Sequence, residues 1–216
     1  MARDGFPVAE LRTTRMDDTT KEISRLHCNI GCNLRLNGEY GAAIERFRRA
    51  LEIDPDYARA HAELGSALVA QAEECRGAEK PRRLRTALDH LRRSVELEPD
   101  YEWSRMYLGR VLWSLGKTRE ALVHYEAAVR IDPSVGFILA FCADFVSTAF
   151  GPGPVAEARF RRAIDLDGED DTIRYLYGKH LLRAKRYTEA RRELLIADRL
   201  GNGKALGVLA GVEDDT

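Results

Sequence analysis

A small residue returning at nearly fixed intervals constrains this chain more than any other feature. Gly31, Gly65, Gly109, Ala143 and Gly178 follow one another at 34, 44, 34 and 35 residues. Three positions after each stands an apolar side chain: Leu34, Leu68, Leu112, Val146 and Leu181. Further on come an alanine (Ala43, Ala87, Ala121, Ala156, Ala190) and a bulky residue (Phe47, Leu91, Tyr125, Phe160, Leu194). Pro55, Pro99 and Pro133 close the first three units, and Gly168 takes that place in the fourth. Such a period marks stacked supersecondary units, none of which can bury its apolar face alone.

Within each half unit the apolar residues fall at helical spacing, as in Leu108, Leu112 and Leu115, or Leu122, Tyr125 and Val129. Gly38 and Gly116 stand where the turn between two helices calls for positive φ. Asp54-Pro55, Glu98-Pro99 and Asp132-Pro133 stop the second helices, because proline restricts the residue before it and donates no hydrogen bond.

This pattern resembles the tetratricopeptide repeat. Ile30-Gly31-x2-Leu34 with Ala43, Phe47, Ala50 and Pro55, and Leu108-Gly109-x2-Leu112 with Ala121, Tyr125, Ala128 and Pro133, carry the resemblance most fully. The units run 24–57, 58–101, 102–135, 136–170 and 171–204. The tryptophan usual near the start of the pattern is replaced by His27, His61, Arg105, Leu139 and Arg174. The resemblance implies an all-α, right-handed α-solenoid of five stacked helix-turn-helix hairpins.

Three segments depart from the repeat. The second unit carries ten extra residues near 73–82, with Gly77 and Pro81 inside. Both of its helices are expected to run on by about a turn, forming either a partner contact or a tolerated extension. Residues 1–23 read as a solvated arm (Arg3, Asp4, Arg12, Arg15), with Thr19-x-x-Glu22 as a capping box where order begins. Residues 205–216 are apolar, then acidic, and either cap the array or contact another subunit or partner.

Composition narrows the function. The net charge is −1, against a nucleic-acid binder that relies on an overall positive field. No stretch of 18 apolar residues forms a membrane span, and the first 20 residues lack the apolar run of a secretory signal, so a cytoplasmic location is expected. Cys28, Cys32, Cys75 and Cys142 suggest reduced thiols, with Cys28 and Cys32 reactive and Cys142 buried. His27 beside Cys28 and Cys32 does not complete a four-ligand metal set. Nucleophile pairs such as Cys32 with His27, or Cys28 with His61, lack supporting residues, and no GxSxG, P-loop, GxGxxG or HExxH occurs. Gly151-Pro152-Gly153-Pro154 reads as a turn. No enzyme activity, cofactor or metal is expected.

The resemblance further implies a groove lined by the second, fifth, ninth and twelfth positions of each first helix. These are Arg25, Cys28, Cys32 and Arg35; Arg59, Ala62, Ser66 and Val69; Trp103, Met106, Arg110 and Trp113; Phe137, Ala140, Asp144 and Ser147; Thr172, Tyr175, Lys179 and Leu182. Arg25, Arg35, Arg59, Arg110 and Lys179 oppose only Asp144, leaving about +4 on that face. The carboxylate clamp of chaperone-binding members is absent: Cys28, Cys32, Glu63, Trp103 and Tyr107 occupy its places. The binding set expected is Arg25, Arg35, Arg59, Trp103, Met106, Arg110, Trp113, Phe137, Tyr175 and Lys179. Trp103 and Trp113 are expected either to face the groove as an aromatic platform around Arg110 or to pack on Phe137 or Phe141 of the next unit. The implied function is a non-catalytic interaction module, an adaptor or chaperone-like scaffold, gripping a peptide or partner helix with apolar and acidic residues. Self-assembly into homo-oligomers through the groove or the C-terminal end is the alternative.

Overall fold

The computed structural model describes the backbone of residues 8–75 and 77–213 and the side chains of 18–75 and 77–211. The described residues form eleven α-helices and no strand. They divide into two compact units, residues 1–100 and 101–216. The first holds α1 (Val8–Leu36), α2 (Tyr40–Ile53), α3 (Ala58–Glu74) and α4 (Glu79–Leu97). The second holds α5 (Glu102–Ser114), α6 (Thr118–Ile131), α7 (Gly136–Phe150), α8 (Pro154–Leu166), α9 (Asp171–Arg183), α10 (Tyr187–Arg199) and α11 (Ala205–Glu213).

In the first unit α1 pairs with α2 and α3 with α4, and α2 packs on α3. The periodic glycines bring the paired helices together: a Cβ on Gly31 would stand 2.6 Å from the Phe47 ring, and one on Gly65 would stand 2.5 Å from Leu91. Two buried hydroxyls tie helix ends across the packing, Ser24 Oγ donating to the Ala50 carbonyl at 2.9 Å and Ser94 Oγ to that of Ala58 at 2.7 Å. The inserted residues lengthen α3 and α4 around a short turn at Gly77, whose φ is +68°.

In the second unit α5 pairs with α6, α7 with α8 and α9 with α10, and α7 lies along α9. Leu139, Ala143, Phe160, Ile173, Tyr177 and Leu181 form a core cluster among α7, α8 and α9. A shared hydrogen-bond pair ends three first helices. Gly38 N–H donates to Arg35 and Glu39 N–H to Leu34; Gly116 to Trp113 and Lys117 to Leu112; Lys185 to Leu182 and Arg186 to Leu181. Gly38, Gly116 and Lys185 adopt positive φ there, at +80°, +78° and +59°. Such a C-terminal turn satisfies carbonyls that the helix leaves without partners.

One expectation for the ends changes. Helix α1 starts at Val8, so Thr19 and Glu22 lie inside it rather than capping it. No Gly or Pro between Val8 and Asp18 interrupts a helix. Arg3 and Asp4 of the expected arm lie outside the described residues, as do the side chains of Arg12 and Arg15. At the other end α11 folds back on α10, burying Ala205 and Leu209 against Leu194 and Ala197. No helix among the described residues is long and apolar enough to cross a membrane.

Candidate functional site

Helices α5 and α7 carry a connected ladder of rings in the second unit, and α9 adds Tyr175 with Lys179. Trp103 on α5 lies 5.7 Å from Phe137 on α7, and Phe137 lies 4.6 Å from Phe141 one turn along. The Arg110 guanidinium stands over the Phe141 ring at 5.8 Å, and the Lys179 ammonium over Tyr175 at 5.4 Å. Trp103, Phe137, Phe141 and Tyr175 all remain partly exposed. A cation over a ring face is attracted by the ring quadrupole, which holds the arginine and the lysine in place.

Both tryptophans have packing partners, Trp103 on Phe137 and Trp113 on Phe145, while remaining partly exposed. Trp113 meets Phe145 edge-on at 5.4 Å, and Phe145, fully buried, stacks on Tyr125 at 4.8 Å. Trp113, partly exposed like Trp103, thus packs on the core through this contact. Met106 is fully buried and offers no binding surface. Its equivalents Cys28, Ala62 and Ala140 are fully buried too, so the fifth position serves packing in the first four units. Tyr175 at that position in the fifth stays partly exposed.

The charges near this ladder are shared unequally. Asp144, nearly buried, accepts from Arg183 at 2.9 Å and sits 3.8 Å from Lys179. Lys179 and Arg183 thus share the single carboxylate of Asp144, while Arg110 is held over Phe141. Arg183 and Phe141 contribute here although neither falls on an expected groove position. Their signal was the helical spacing of Phe137 to Phe141 and of Lys179 to Arg183, one turn in each case.

The first unit holds a separate basic cluster. Arg25 is exposed, Arg35 Nε donates to Glu63 Oε2 at 3.1 Å, and Arg59 Nη2 reaches Cys32 Sγ at 3.9 Å. Glu63, absent from the expected groove set, thus removes one of three positive charges. Cys28 lies fully buried one turn below the partly exposed Cys32. A hydrogen bond with Cys32, together with burial, pushes the Cys28 thiol far above the usual range. The same bond holds Cys32 below that range, helped by Arg59 and Arg35 and opposed by burial and Glu63. Cys28 is therefore not the accessible thiol the sequence suggested. Burial pushes Cys142 up to about 12.

An aligned serine, histidine and carboxylate also occur. Ser147 Oγ lies 2.9 Å from His180 Nδ1, and His180 Nε2 lies 3.0 Å from Glu157 Oε2. The carboxylate requires Nε2 to carry the proton, so Nδ1 accepts from the serine hydroxyl. Burial disfavours ionised Glu157, but hydrogen bonds from Tyr177, Arg186 and Arg161 outweigh it and hold its carboxyl down at about 2. Burial also lowers His180, with Glu157 acting against the shift. Ser147 is 1% exposed and Arg183 donates to its Oγ at 3.4 Å, so the hydroxyl faces protein rather than a substrate. The arrangement locks α7, α8 and α9 together. Among the described residues no three His, Cys, Asp or Glu side chains gather as a metal ion would need.

Comparisons agree with this geometry. A TPR repeat model matches residues 33–71, and a tetratricopeptide repeat model matches 76–135 and 153–205. No curated protein sequence matches. Among solved structures, a thermophilic TPR protein of Thermus thermophilus is similar at TM-score 0.74 and 21% identity, over 88% of this chain and 97% of that one. Pseudomonas aeruginosa PilF is similar at TM-score 0.63 and 20% identity, over 91% and 87%. YrrB, described as a TPR protein with an unusual peptide-binding site, is similar at TM-score 0.52 and 18% identity, over 92% and 96%. At these identities the likeness concerns the fold. With its paired helices, its glycine contacts and its matches over most of its length, the chain belongs to the tetratricopeptide-repeat family.

Proposed function

We propose that this protein is a non-catalytic adaptor that binds a peptide segment of a partner protein on the α5–α7–α9 face of its second unit. The tetratricopeptide fold supports protein interaction in general, and the family is generally non-catalytic. The observation that carries the specific reading is the partly exposed ladder Trp103–Phe137–Phe141 with Arg110 over one end. Trp, Tyr and Arg are the side chains most often found as binding hot spots, and a guanidinium forks onto a carboxylate. With Lys179 and Arg183 sharing one carboxylate, the fitting ligand is a peptide with an apolar anchor flanked by acidic residues. The binding set narrows from the sequence expectation to Trp103, Arg110, Phe137, Phe141, Tyr175 and Lys179, with Met106 serving the packing beneath and partly exposed Trp113 packed on Phe145. Arg25, Arg35 and Arg59 belong to the first unit's own cluster. YrrB's described peptide-binding site lends the reading support by likeness of fold.

A peptide-display selection on the immobilised protein tests this reading. Enrichment of acidic sequences with an aromatic or aliphatic anchor is expected, and their binding should weaken at least fivefold in Arg110→Glu, about 1 kcal/mol. Light scattering on the same preparation tests self-assembly. A concentration-dependent mass abolished by Trp103→Ala would favour the homo-oligomer over the adaptor.

A further inference from the structure

We infer that Cys32 and Cys28 form an oxidant-sensitive site, in which partly exposed Cys32 reacts with a peroxide and buried Cys28 resolves the product as an intrahelical disulfide. The geometry separates the two roles. Cys32 opens to solvent on the side where Arg59 Nη2 approaches its sulfur at 3.9 Å, while Cys28 is fully buried one turn earlier on α1. Arg35, held on Glu63, and exposed Arg25 lie on the same face of the helix. Reactive cysteines occur in such electropositive, partly exposed surroundings, because the thiolate is the nucleophile. The depressed Cys32 thiol accords with this setting.

The chemistry balances. The Cys32 thiolate attacks one peroxide oxygen, the O–O bond breaks, and the departing alkoxide or hydroxide takes a proton from water. Cys32 becomes a sulfenic acid. The Cys28 sulfur then attacks the Cys32 sulfur, the S–O bond breaks, and the hydroxide leaves as water with the Cys28 proton. Two thiols are oxidised by two electrons and one hydroperoxide is reduced to an alcohol and water.

The helix sets the character of this disulfide. Residues four apart have Cα atoms roughly 6 Å apart, within the range a disulfide spans. Their Cβ atoms, at about 5–6 Å, must close to about 4 Å. That closure tightens the turn containing Gly31, which already presses against Phe47. A strained disulfide of this kind is readily reduced, as a reversible modification requires.

Peptide mapping of the reduced full chain after hydrogen peroxide treatment tests the inference. A Cys28–Cys32 disulfide should form before any oxidation of Cys75 or Cys142, and dithiothreitol should reverse it. In Cys28→Ser and Cys28→Ala, each checked for native helicity, dimedone should trap Cys32 as its sulfenic acid at least about tenfold more than in the unaltered protein. Arg59→Gln should slow iodoacetamide alkylation of Cys32 at pH 7 by about threefold or more. Earlier oxidation of Cys75, or equal dimedone trapping with and without Cys28, would overturn the assignment.

Discussion

A Cβ atom on Gly109 would stand 2.9 Å from Cδ2 of Tyr125, closer than real Cβ contacts come. Tyr125 is itself packed on Phe145 and 1% exposed, so the ring has little room to retreat. Gly109→Ala should therefore destabilise the protein by about 1–3 kcal/mol despite alanine's better helix propensity. A urea melt followed by circular dichroism measures this. A midpoint at or above that of the unaltered protein would mean that α5 and α6 can separate without cost.

Lys185 offers the opposite case. It occupies with φ +59° the turn position that glycine fills at Gly38 and Gly116. A left-handed conformation costs a residue with a side chain about 1–2 kcal/mol. Lys185→Gly should stabilise the chain, by about 1 kcal/mol after glycine's larger unfolded-state entropy is deducted. A lower melting temperature would show that the lysine side chain has a stabilising role outweighing its backbone strain.

Stability should fall as the solution is acidified through the histidine range. His61 Nε2 donates to the Pro55 carbonyl at 2.9 Å, leaving Nδ1 to accept from His90 Nδ1 at 3.0 Å. Burial lowers both, with Arg93 acting further on His61 against Asp56 and the Pro55 bond, and His61 and Arg48 acting on His90 against Asp89. Burial lowers His180 as well. Because the folded values are depressed, the unfolded chain binds protons first, and stability drops as pH falls below about 6.5. A second loss follows as the unfolded carboxyl of Glu157 protonates near pH 4–5 and continues toward its folded value of about 2. Denaturant midpoints at pH 7.5, 5.5 and 4 should decline in that order. Equal midpoints at 7.5 and 5.5 would contradict the histidine assignment.

The Ser147–His180–Glu157 alignment should prove structural. Glu157→Gln should destabilise the second unit by about 2 kcal/mol, since a carboxylate bonded to Tyr177, His180 and Arg186 is lost. A fluorophosphonate probe should leave Ser147 unlabelled. Labelling that disappears in His180→Phe would instead reveal a working nucleophile.

What the sequence disclosed follows from the range of each interaction. Gly38, Gly116 and the Asp-Pro and Glu-Pro steps act within a few residues, and the structure places helix ends there. The glycine-to-Phe47 and glycine-to-Tyr125 contacts were legible because the period repeats them. The site was less so. Which groove positions stay open depends on how neighbouring first helices meet, and that contact buries Cys28, Met106 and Ala140 without leaving any mark in their own spacing. Glu63 and Arg183 partner Arg35 and Asp144 from other helices, at 28 and 39 residues' separation, beyond the reach of a count along one helix. Thr19-x-x-Glu22 caps only a chain that leaves the helix before it, and here α1 continues through.

In the proposed function, the Trp103–Phe137–Phe141 ladder with Arg110 binds an acidic, apolar-anchored peptide. Titration calorimetry with one display-selected peptide, against the unaltered protein, Arg110→Glu and Trp103→Ala, tests it most directly. Both substitutions should weaken binding by about 1–2 kcal/mol, each variant first being checked for native helicity. Affinity preserved in both variants, with the peptide still bound, would place the binding surface elsewhere and contradict the claim.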